Sequence, residues 1–449
     1  MDMPVTFNER EDQSRLESLI AEVLDIARKY GATAADVDAH MDGGLSVTAR
    51  MGDVEVIEHN RDKGMGVTVY FGQCKGSAST TDFSSKAIEE TVKAACSIAR
   101  HTKEDPFAGL ADAALMAKDI PDLDLFHPWG LSVEDAIEYA KTCEAAALNV
   151  DKRITNSEGA TVSSHQGIRA YGNSHGFIGA WPGSRHSVSC SVIASENDKM
   201  QSNYWYSVAR NHNDLEALES IGKKAAQRAL SRLGASPIGT GQMPVIFSAE
   251  MATGLLSQFL RAINGNNLYR DSSFLKDMLG KQIFPDNIRI DERPHLKGAL
   301  GSAPFDNEGV ATQARDFITN GILQSYVLDS YAARKLGMQT TGNAGGSHNV
   351  FITHSDQTQE DLIKKIGNGL LATELMGQGI NIVTGDYSRG AAGFLIENGK
   401  ITRPVEEITV ASNLKDMFMK ITDIANDIET RGNVFTGSIL IESMMVAGE

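Results

Sequence analysis

The chain has 449 residues, more than one hydrophobic core usually serves, so about two or three domains are expected. Its 42 basic and 58 acidic side chains give a net charge of −16, and no basic cluster occurs along the chain. Nucleic-acid binding needs a positive surface that displaces counterions from phosphates, which argues against DNA or RNA as a partner. No run of about 18 apolar residues occurs and residues 1–13 are polar, so we expect a cytoplasmic protein without a membrane anchor or signal peptide.

Residues 1–120 carry the pattern of a small α/β domain. Apolar residues recur at helical spacing over 14–30, and Gly31 stands where a helix C-cap is expected. A second helix is predicted at 84–100. Between the two helices, three short alternating stretches predict a small meander of strands with a turn at Gly52-Asp53. These stretches lie at 45–49, 54–57 and 67–70.

A middle α+β region is predicted over residues 121–236. The proline-containing segment 102–130 is irregular and leads into it, and a helix follows at 132–148. Polar strands then precede a further helix at 214–233. The Gly- and Pro-rich segment 234–244 marks the boundary to the last domain.

Residues 237–449 are predicted to form a strand-rich C-terminal domain with mixed or antiparallel sheets. Asn-Gly pairs at 320–321 and 398–399 lie between apolar stretches, and this pair is the strongest local signal for a tight hairpin. The regular alternation of strands and helices that a doubly wound sheet requires is missing. The fold class predicted for the whole chain is therefore α+β.

The eleven histidines form no zinc motif. A catalytic zinc site usually has two His on one helical face and a Glu nearby that activates water. No HExxH occurs, and the closest pair, His348 and His354, is too far apart for one helical face. Four widely spaced cysteines without a CxxC pair predict reduced thiols rather than a zinc knuckle or disulfide framework. They are Cys74, Cys96, Cys143 and Cys190.

The run 172–176 matches the GxSxG pattern of a nucleophile elbow, with Ser174 as the serine. An elbow places its serine between a strand and a helix. Residues 177–183 contain too much Gly and Pro to form that helix. A turn between two strands is therefore the preferred interpretation, and a nucleophilic Ser174 is the minor one.

Glycine-rich stretches beyond residue 340 allow two interpretations. Glycine lets backbone N–H groups approach a ligand, so the loop around Asp386 and Arg389 could hold the termini of a peptide. Glycine also supplies the positive φ angles of tight turns, and this second interpretation is preferred. Ser347 could join His348 and Asp386 in an autonomous hydrolase. The candidates for a substrate cleft are His348, Asp386, Tyr387 and Arg389.

Four ordered runs of sequence carry a resemblance to a known family. They are DKRITN at 151–156, GNSHG at 172–176, TELMGQG at 373–379 and GDYSRGAAG at 385–393. Together they resemble the TldD/PmbA family, and more narrowly its PmbA branch, also called TldE. The resemblance extends from the first predicted helix to the segment 426–431, so it covers nearly the whole chain.

The resemblance implies a two-component metalloprotease. In this family the TldD subunit holds zinc on a helix reading His-Glu-x-x-x-His, with a Cys nearer the C-terminus as third ligand. TldD pairs with TldE to cut small or unfolded peptides, including antitoxins and peptide-antibiotic precursors. An older description of the PmbA branch as a gyrase modulator fits a downstream consequence of this proteolysis.

The corresponding helix of this chain is placed at 245–255. Matching its apolar lead-in and its following glycine puts Ser248 and Thr253 at the positions of the two histidines, and Ala249 at that of the glutamate. A hydroxyl is a poor zinc ligand and alanine accepts no proton. No cysteine follows Cys190. Ser248 could equally be a helix N-cap. Helical spacing also assigns four residues to the core whatever the helix does, namely Met251, Leu255, Phe259 and Ile263.

The chain is accordingly predicted to be a non-catalytic subunit without a cofactor of its own, zinc being expected in a TldD-like partner. It could form a homodimer when alone, and unfolded peptide could be held by strand addition at a sheet edge. Two alternatives stay open. One is an autonomous hydrolase with an unrecognised site, and the other is a regulatory protein that binds gyrase or another target without proteolysis.

Overall fold

The computed structural model describes residues 8–448, and these combine helices with three separate sheets. The α+β class predicted from the sequence is confirmed. The helices are α1 Glu9–Lys29, α2 Ser85–His101, α3 Val133–Leu148, α4 Leu218–Ser231, α5 Ala249–Ala262, α6 Gly265–Leu268, α7 Ser330–Lys335, α8 Gln359–Ile366 and α9 Leu414–Met419. None of these helices is long and apolar enough to cross a membrane.

The strands fall into two sets along the chain. The first set is β1 Ala34–Arg50, β2 Asp53–Phe71, β3 Cys74–Thr80, β4 Ile154–Asn173, β5 Ile178–Glu196 and β6 Lys199–Ala209. The second set is β7 Gly241–Phe247, β8 Ile290–Glu292, β9 Arg315–Thr319, β10 Ile322–Leu323, β11 Val350–Ile352, β12 Gly369–Met376, β13 Asp386–Glu397, β14 Lys400–Asn413, β15 Ile421–Ile424, β16 Val434–Phe435 and β17 Ile439–Ala447.

The first set forms one antiparallel sheet in the order β3-β2-β1-β4-β5-β6. Residues of the same parity on a strand share a face. On β4, Ile168 packs with α1 and α2, whereas Val162 packs with α3 and α4. All four helices therefore cover one face of the sheet, and the other face is left for the C-terminal domain. The sequence predicted a boundary between the first domain and the middle region at residue 120. Strands from both sides of this boundary pair in the sheet, as Leu45 does with Ser164.

Three strands do lie between α1 and α2, but their bounds differ from those of the predicted stretches. The stretches 54–57 and 67–70 belong to one strand of 19 residues, β2, which pairs with β1 along its whole length. The polar run between them has the composition of a loop, but ladder hydrogen bonds to β1 hold it extended. The turn lies at Met51 and Gly52, one residue before the predicted pair, with φ of 51° at Met51 and 81° at Gly52. Positive φ at both central residues defines the type I′ turn that suits a twisted hairpin.

The end of α1 and the start of α2 coincide with residues that typically cap helices. Gly31 has φ of 86° just beyond α1, as its C-cap role requires. The Ser84 side chain accepts a hydrogen bond from the Ala87 backbone N–H at the start of α2. The helix predicted at 214–233 begins later, at Leu218, because a 3₁₀ turn precedes it.

The C-terminal domain holds the other two sheets, one of five strands and one of six. In the larger sheet β14 pairs with both β13 and β17, which closes five of its strands into a ring. Both predicted Asn-Gly hairpins are confirmed, since Asn320 and Asn398 have φ of 50° and 52°. The core of this domain lies between the two sheets and includes Phe247, Phe259 and Phe317.

Candidate functional site

The helix that the resemblance marks as the zinc helix is α5, and its start differs from the prediction. Residues 245–247 form the end of β7, which pairs with β12 and β17. A run of Val, Ile and Phe fits a strand buried on both faces, and that tertiary setting decides its conformation. The helix therefore begins at Ala249, with Ser248 directly before it.

The family motif has a metal-binding histidine at positions 248 and 253. Neither the Ser248 nor the Thr253 hydroxyl is available as a ligand in its place. The Ser248 backbone donates to Ala372 O at 3.0 Å, while its side-chain oxygen is buried without a hydrogen-bond partner among the described residues. The proposed side-chain N-cap at Ser248 is therefore wrong. Thr253 Oγ1 donates to Glu250 O at 2.7 Å, within its own helix. Ala249 offers no donor or acceptor beyond its backbone.

The apolar face of α5 is a core face, as predicted. Leu255, Phe259 and Ile263 are buried, and Met251 is partly buried against the same core. The helix is thus held in place by packing against the core of the C-terminal domain.

Glu250, the only carboxylate in the first turn of α5, is held by two arginines. Arg228 Nη1 lies 2.7 Å from one of its carboxylate oxygens, and Arg431 Nη2 lies 2.8 Å from the other. Arg431 also pairs with Glu429. The side chains of Arg431 and Glu429 are only 10% and 11% exposed, so this is a largely buried network of two cations and two anions.

Trp205 lies against this network. The centre of its ring is 3.9 Å from the Arg431 guanidinium carbon and 5.2 Å from that of Arg228. Burial alone would lower the pKa of Arg431, but the Glu429 and Glu250 carboxylates outweigh it and the net shift is upward. Trp205 and Arg228 belong to the segment before residue 234, so the network ties that segment to the C-terminal domain at the start of α5.

The side chains around the start of α5 do not fit a zinc ion. Zinc in proteins takes Cys, His or carboxylate ligands. The positions of the motif offer a buried hydroxyl, a methyl group and a hydroxyl already bonded to Glu250 O. The Glu250 carboxylate lies between Arg228 and Arg431, whose charges oppose a further cation, and Glu429 is paired with Arg431. Within residues 8–448 no group of three His, Cys, Asp or Glu is arranged to hold a metal.

The predicted cleft residues divide between two places. His348 is buried, and its Nδ1 lies 3.2 Å from Glu292 Oε1. The Glu292 carboxylate also accepts hydrogen bonds from the His348 backbone N–H and from Asn343 Nδ2, at 2.6 and 2.9 Å. Glu292 therefore organises the glycine-rich loop 343–348, and it is the carboxylate partner of His348 where the sequence suggested Asp386.

Asp386, Tyr387 and Arg389 lie on β13, away from these partners. Asp386 is exposed and accepts hydrogen bonds from Thr384 Oγ1 and Asn413 Nδ2, at 2.6 and 3.2 Å. Arg389 donates to the backbone oxygen of Leu375 at 3.1 Å, and Tyr387 is buried. These contacts stabilise a turn, as the preferred interpretation of the glycines in this stretch predicts. The hydrolase of Ser347, His348 and Asp386 finds no support in them.

The nucleophile elbow at Ser174 is also replaced by a turn. Ser174 lies between β4 and β5, and its Oγ accepts a hydrogen bond from the Ala35 backbone N–H at 3.1 Å. Gly176 has φ of 90° in this turn. The hydroxyl therefore fixes the turn to β1, and the preferred interpretation of the run 172–176 is confirmed.

Sequence reasoning missed a group of arginines that line a cavity beside the loop 343–348. They are Arg169 on β4, Arg185 on β5 and Arg210 just after β6. The sequence shows polar residues alternating along β4, but this pattern does not predict which part of the chain lies opposite them. Arg210 comes near only because β6 pairs with β5.

Asp36 lies on β1 near the C-terminal domain and has a strongly shifted acidity. Burial raises its pKa to about 7, and the charges of Asp38 and Glu308 act in the same direction. Lys75 and a hydrogen bond from Tyr70 oppose the shift without cancelling it. The folded protein therefore keeps this carboxyl protonated to a pH well above that at which an ordinary aspartate ionises.

The raised pKa of Asp36 predicts a loss of stability as pH rises. The unfolded chain releases this proton near pH 4, whereas the folded protein keeps it to about pH 7, so the folded state binds more protons across that window. Between pH 5 and pH 8 the free energy of unfolding should fall by about 2 kcal/mol more in the parent than in Asp36→Asn. Urea unfolding at both pH values measures the difference. Asp53→Asn, at an exposed position, is the control and should follow the parent.

Three family models match consecutive parts of this α+β chain, and they place it in the class of metallopeptidases. They describe PmbA/TldA metallopeptidase domain 1, its central domain and its C-terminal domain, and match residues 35–99, 126–233 and 240–448. Metalloprotease PmbA of Escherichia coli O157:H7 is 50% identical over 434 residues, which covers 97% of this chain and 96% of that protein. The chain belongs to the PmbA/TldD family, in its PmbA branch.

Solved structures show the same fold. A crystal structure from Bacteroides thetaiotaomicron, named as a candidate modulator of DNA gyrase, has a TM-score of 0.92 and 31% identity, with 97% of this chain and 99% of that chain covered. TldE from Thermococcus kodakarensis has a TM-score of 0.84 and covers 96% of this chain and 100% of its own. At 20% identity the likeness to TldE concerns the fold alone.

Proposed function

We propose that this chain is the zinc-free subunit of a two-component metallopeptidase that degrades or processes small unfolded peptides. The observation that carries the proposal is the start of α5, where Ser248, Ala249 and Thr253 stand at the positions that the family motif gives to His, Glu and His. A member of a metallopeptidase family without metal ligands needs its catalytic group from another chain. A zinc-bearing, TldD-like subunit would supply it.

The contacts of Glu250 support a dedicated role rather than a damaged enzyme. Each of its carboxylate oxygens accepts a hydrogen bond from one guanidinium group, so the carboxylate belongs to an ion pair that joins two segments of the chain. Trp205 packs over both guanidinium groups and adds a cation–π contact. In this chain the start of α5 thus joins the central segment to the C-terminal domain. In the partner, the same position would hold the catalytic groups.

The test is reconstitution with the TldD-like protein of the same cell. The two chains should co-purify with one zinc per pair, whereas this chain alone, dialysed against chelator, should hold none. Only the pair should cleave a fluorescein-labelled unfolded peptide. Chelator should abolish that cleavage, and so should replacing the glutamate of the partner's zinc motif with glutamine, because both remove the means to activate water.

Variants of this chain separate assembly from chemistry. Ser248→Ala and Thr253→Ala should change turnover by the intact pair less than about twofold, because neither hydroxyl touches a reacting group in the proposal. A large loss of turnover with the pair still assembled would assign chemistry to this chain. Chelator-resistant cleavage by the chain alone would favour the autonomous hydrolase instead. An effect on gyrase that survives deletion of the partner would favour the regulatory binding protein.

A further inference from the structure

A cavity of about 470 Å³ lies between the first sheet and the C-terminal domain. Its floor is part of the sheet face that the helices leave uncovered. Gly167 on β4 and Gly183 on β5 pair side by side there, and the Asp42 carboxylate and the Arg210 guanidinium group lie over them. The opposite wall consists of the loops 300–303, 305–307 and 344–348. A volume of this size is typical of sites for small ligands.

Two arginines, Arg169 and Arg185, extend from the floor of the cavity. Arg169 and Arg185 lie on the same face as the two glycines, two residues from each along β4 and β5. Both are exposed, and among residues 8–448 neither forms an ion pair or a side-chain hydrogen bond. The charge of Arg169 acts on Asp42 only at longer range. Both guanidinium groups are therefore free to meet a ligand.

A third arginine closes one end of the cavity. Arg210 donates to Ser184 O and Leu300 O at 3.0 and 2.9 Å, which joins β5 to the C-terminal domain. Its Nε is buried without a partner within the described residues. Burial lowers the pKa of Arg210 to about 10, and the charges of Arg185 and Arg169 act in the same direction. Three positive groups thus face one space in a chain whose net charge is −16.

An anion in this space would relieve the repulsion among the arginines and pair with their planar donor groups. A carboxylate fits better than a phosphate dianion, because Asp42 also lines the cavity and would repel a second negative charge. Trp181 and Phe305 meet edge to face beside the arginines, with ring centres 4.6 Å apart, and give the cavity an apolar wall. Charge and apolar surface side by side suit a carboxylate next to an apolar side chain.

We infer that this cavity binds the C-terminal carboxylate of a short peptide. Arg169 and Arg185 hold the carboxylate, and the wall of Trp181 and Phe305 contacts the last side chain. The choice of a peptide among carboxylate ligands rests on the proposed function. The subunit then does more than complete a chamber, because it anchors one end of the peptide that its partner cuts.

The experiment is calorimetric titration of the full chain, alone, with N-acetyl-alanyl-alanyl-phenylalanine and with its C-terminal amide. The free acid should bind at least about tenfold more tightly than the amide, because the charge-assisted hydrogen bonds need the carboxylate. Arg169→Gln and Arg185→Gln should each weaken binding of the acid by about tenfold. Arg15→Gln is the matched control, since Arg15 is exposed on α1 on the opposite face of the sheet. It should leave the affinity unchanged.

Three results would overturn the inference. These are equal affinities for acid and amide, unchanged affinity in both arginine variants, or binding of inorganic phosphate without binding of the acid. Thermal melting of each variant confirms that the exposed substitutions leave the fold intact. The binding test is independent of cleavage. If acid and amide bind alike while the zinc-containing pair cleaves peptide, the inference fails and the proposed function stands. If the acid binds selectively but the pair does not cleave peptide, the carboxylate site stands and the proposed function fails.

Discussion

Arg431→Ala should lower the free energy of unfolding by about 3 kcal/mol. The substitution leaves Glu429 buried without its cation and removes one of the two guanidinium groups on Glu250. Removing one partner of a buried pair costs more than the pair contributes, because the remaining charge stays out of water. It also strips the guanidinium from the face of Trp205. Urea unfolding followed by tryptophan fluorescence measures the loss.

The matched control for Arg431 is another arginine that holds two carboxylates. Arg153 pairs with Asp151 and Glu196 at 3.0 Å each, but its side chain is 39% exposed. Arg153→Ala should cost less than about 1 kcal/mol, since solvent screens such pairs. Equal losses in the two variants would mean that the network at the start of α5 adds no more than a surface ion pair. The network would then not be what holds the central segment to the C-terminal domain.

Gly222→Ala and Gly254→Ala should change stability in opposite directions. Both glycines lie inside helices, α4 and α5, so alanine brings the same gain in helix propensity of about 0.5–1 kcal/mol. A Cβ at Gly222 would meet Cys143 O of α3 at 2.1 Å, whereas one at Gly254 meets nothing within 4 Å. Forcing α3 and α4 apart should make the first variant less stable by about 2 kcal/mol.

Thermal unfolding of both glycine variants beside the parent gives the test. The Gly254 variant should gain about 0.5–1 kcal/mol, because only the propensity term acts there. A stabilised Gly222 variant would show that α3 and α4 separate without cost, and that the close approach of the two helices is not part of the core.

Local signals in the sequence determined several elements outright. The helical spacing before Gly31 located α1, and Asn320 and Asn398 located two hairpins. These signals succeed because the deciding interactions lie within a few residues of each other. Residue chemistry alone also predicts that Ser248, Ala249 and Thr253 do not repeat a zinc motif.

Tertiary structure decided what the local signals left open. The run 245–247 became strand because β12 and β17 flank it, and the polar middle of β2 stayed extended because β1 pairs with it. Glu250 meets arginines that are 22 and 181 residues away in sequence. No periodicity or capping rule reaches across such distances, since the contact exists only once the sheets have brought the segments together. The arginine cavity has the same origin, because two of its walls belong to different domains.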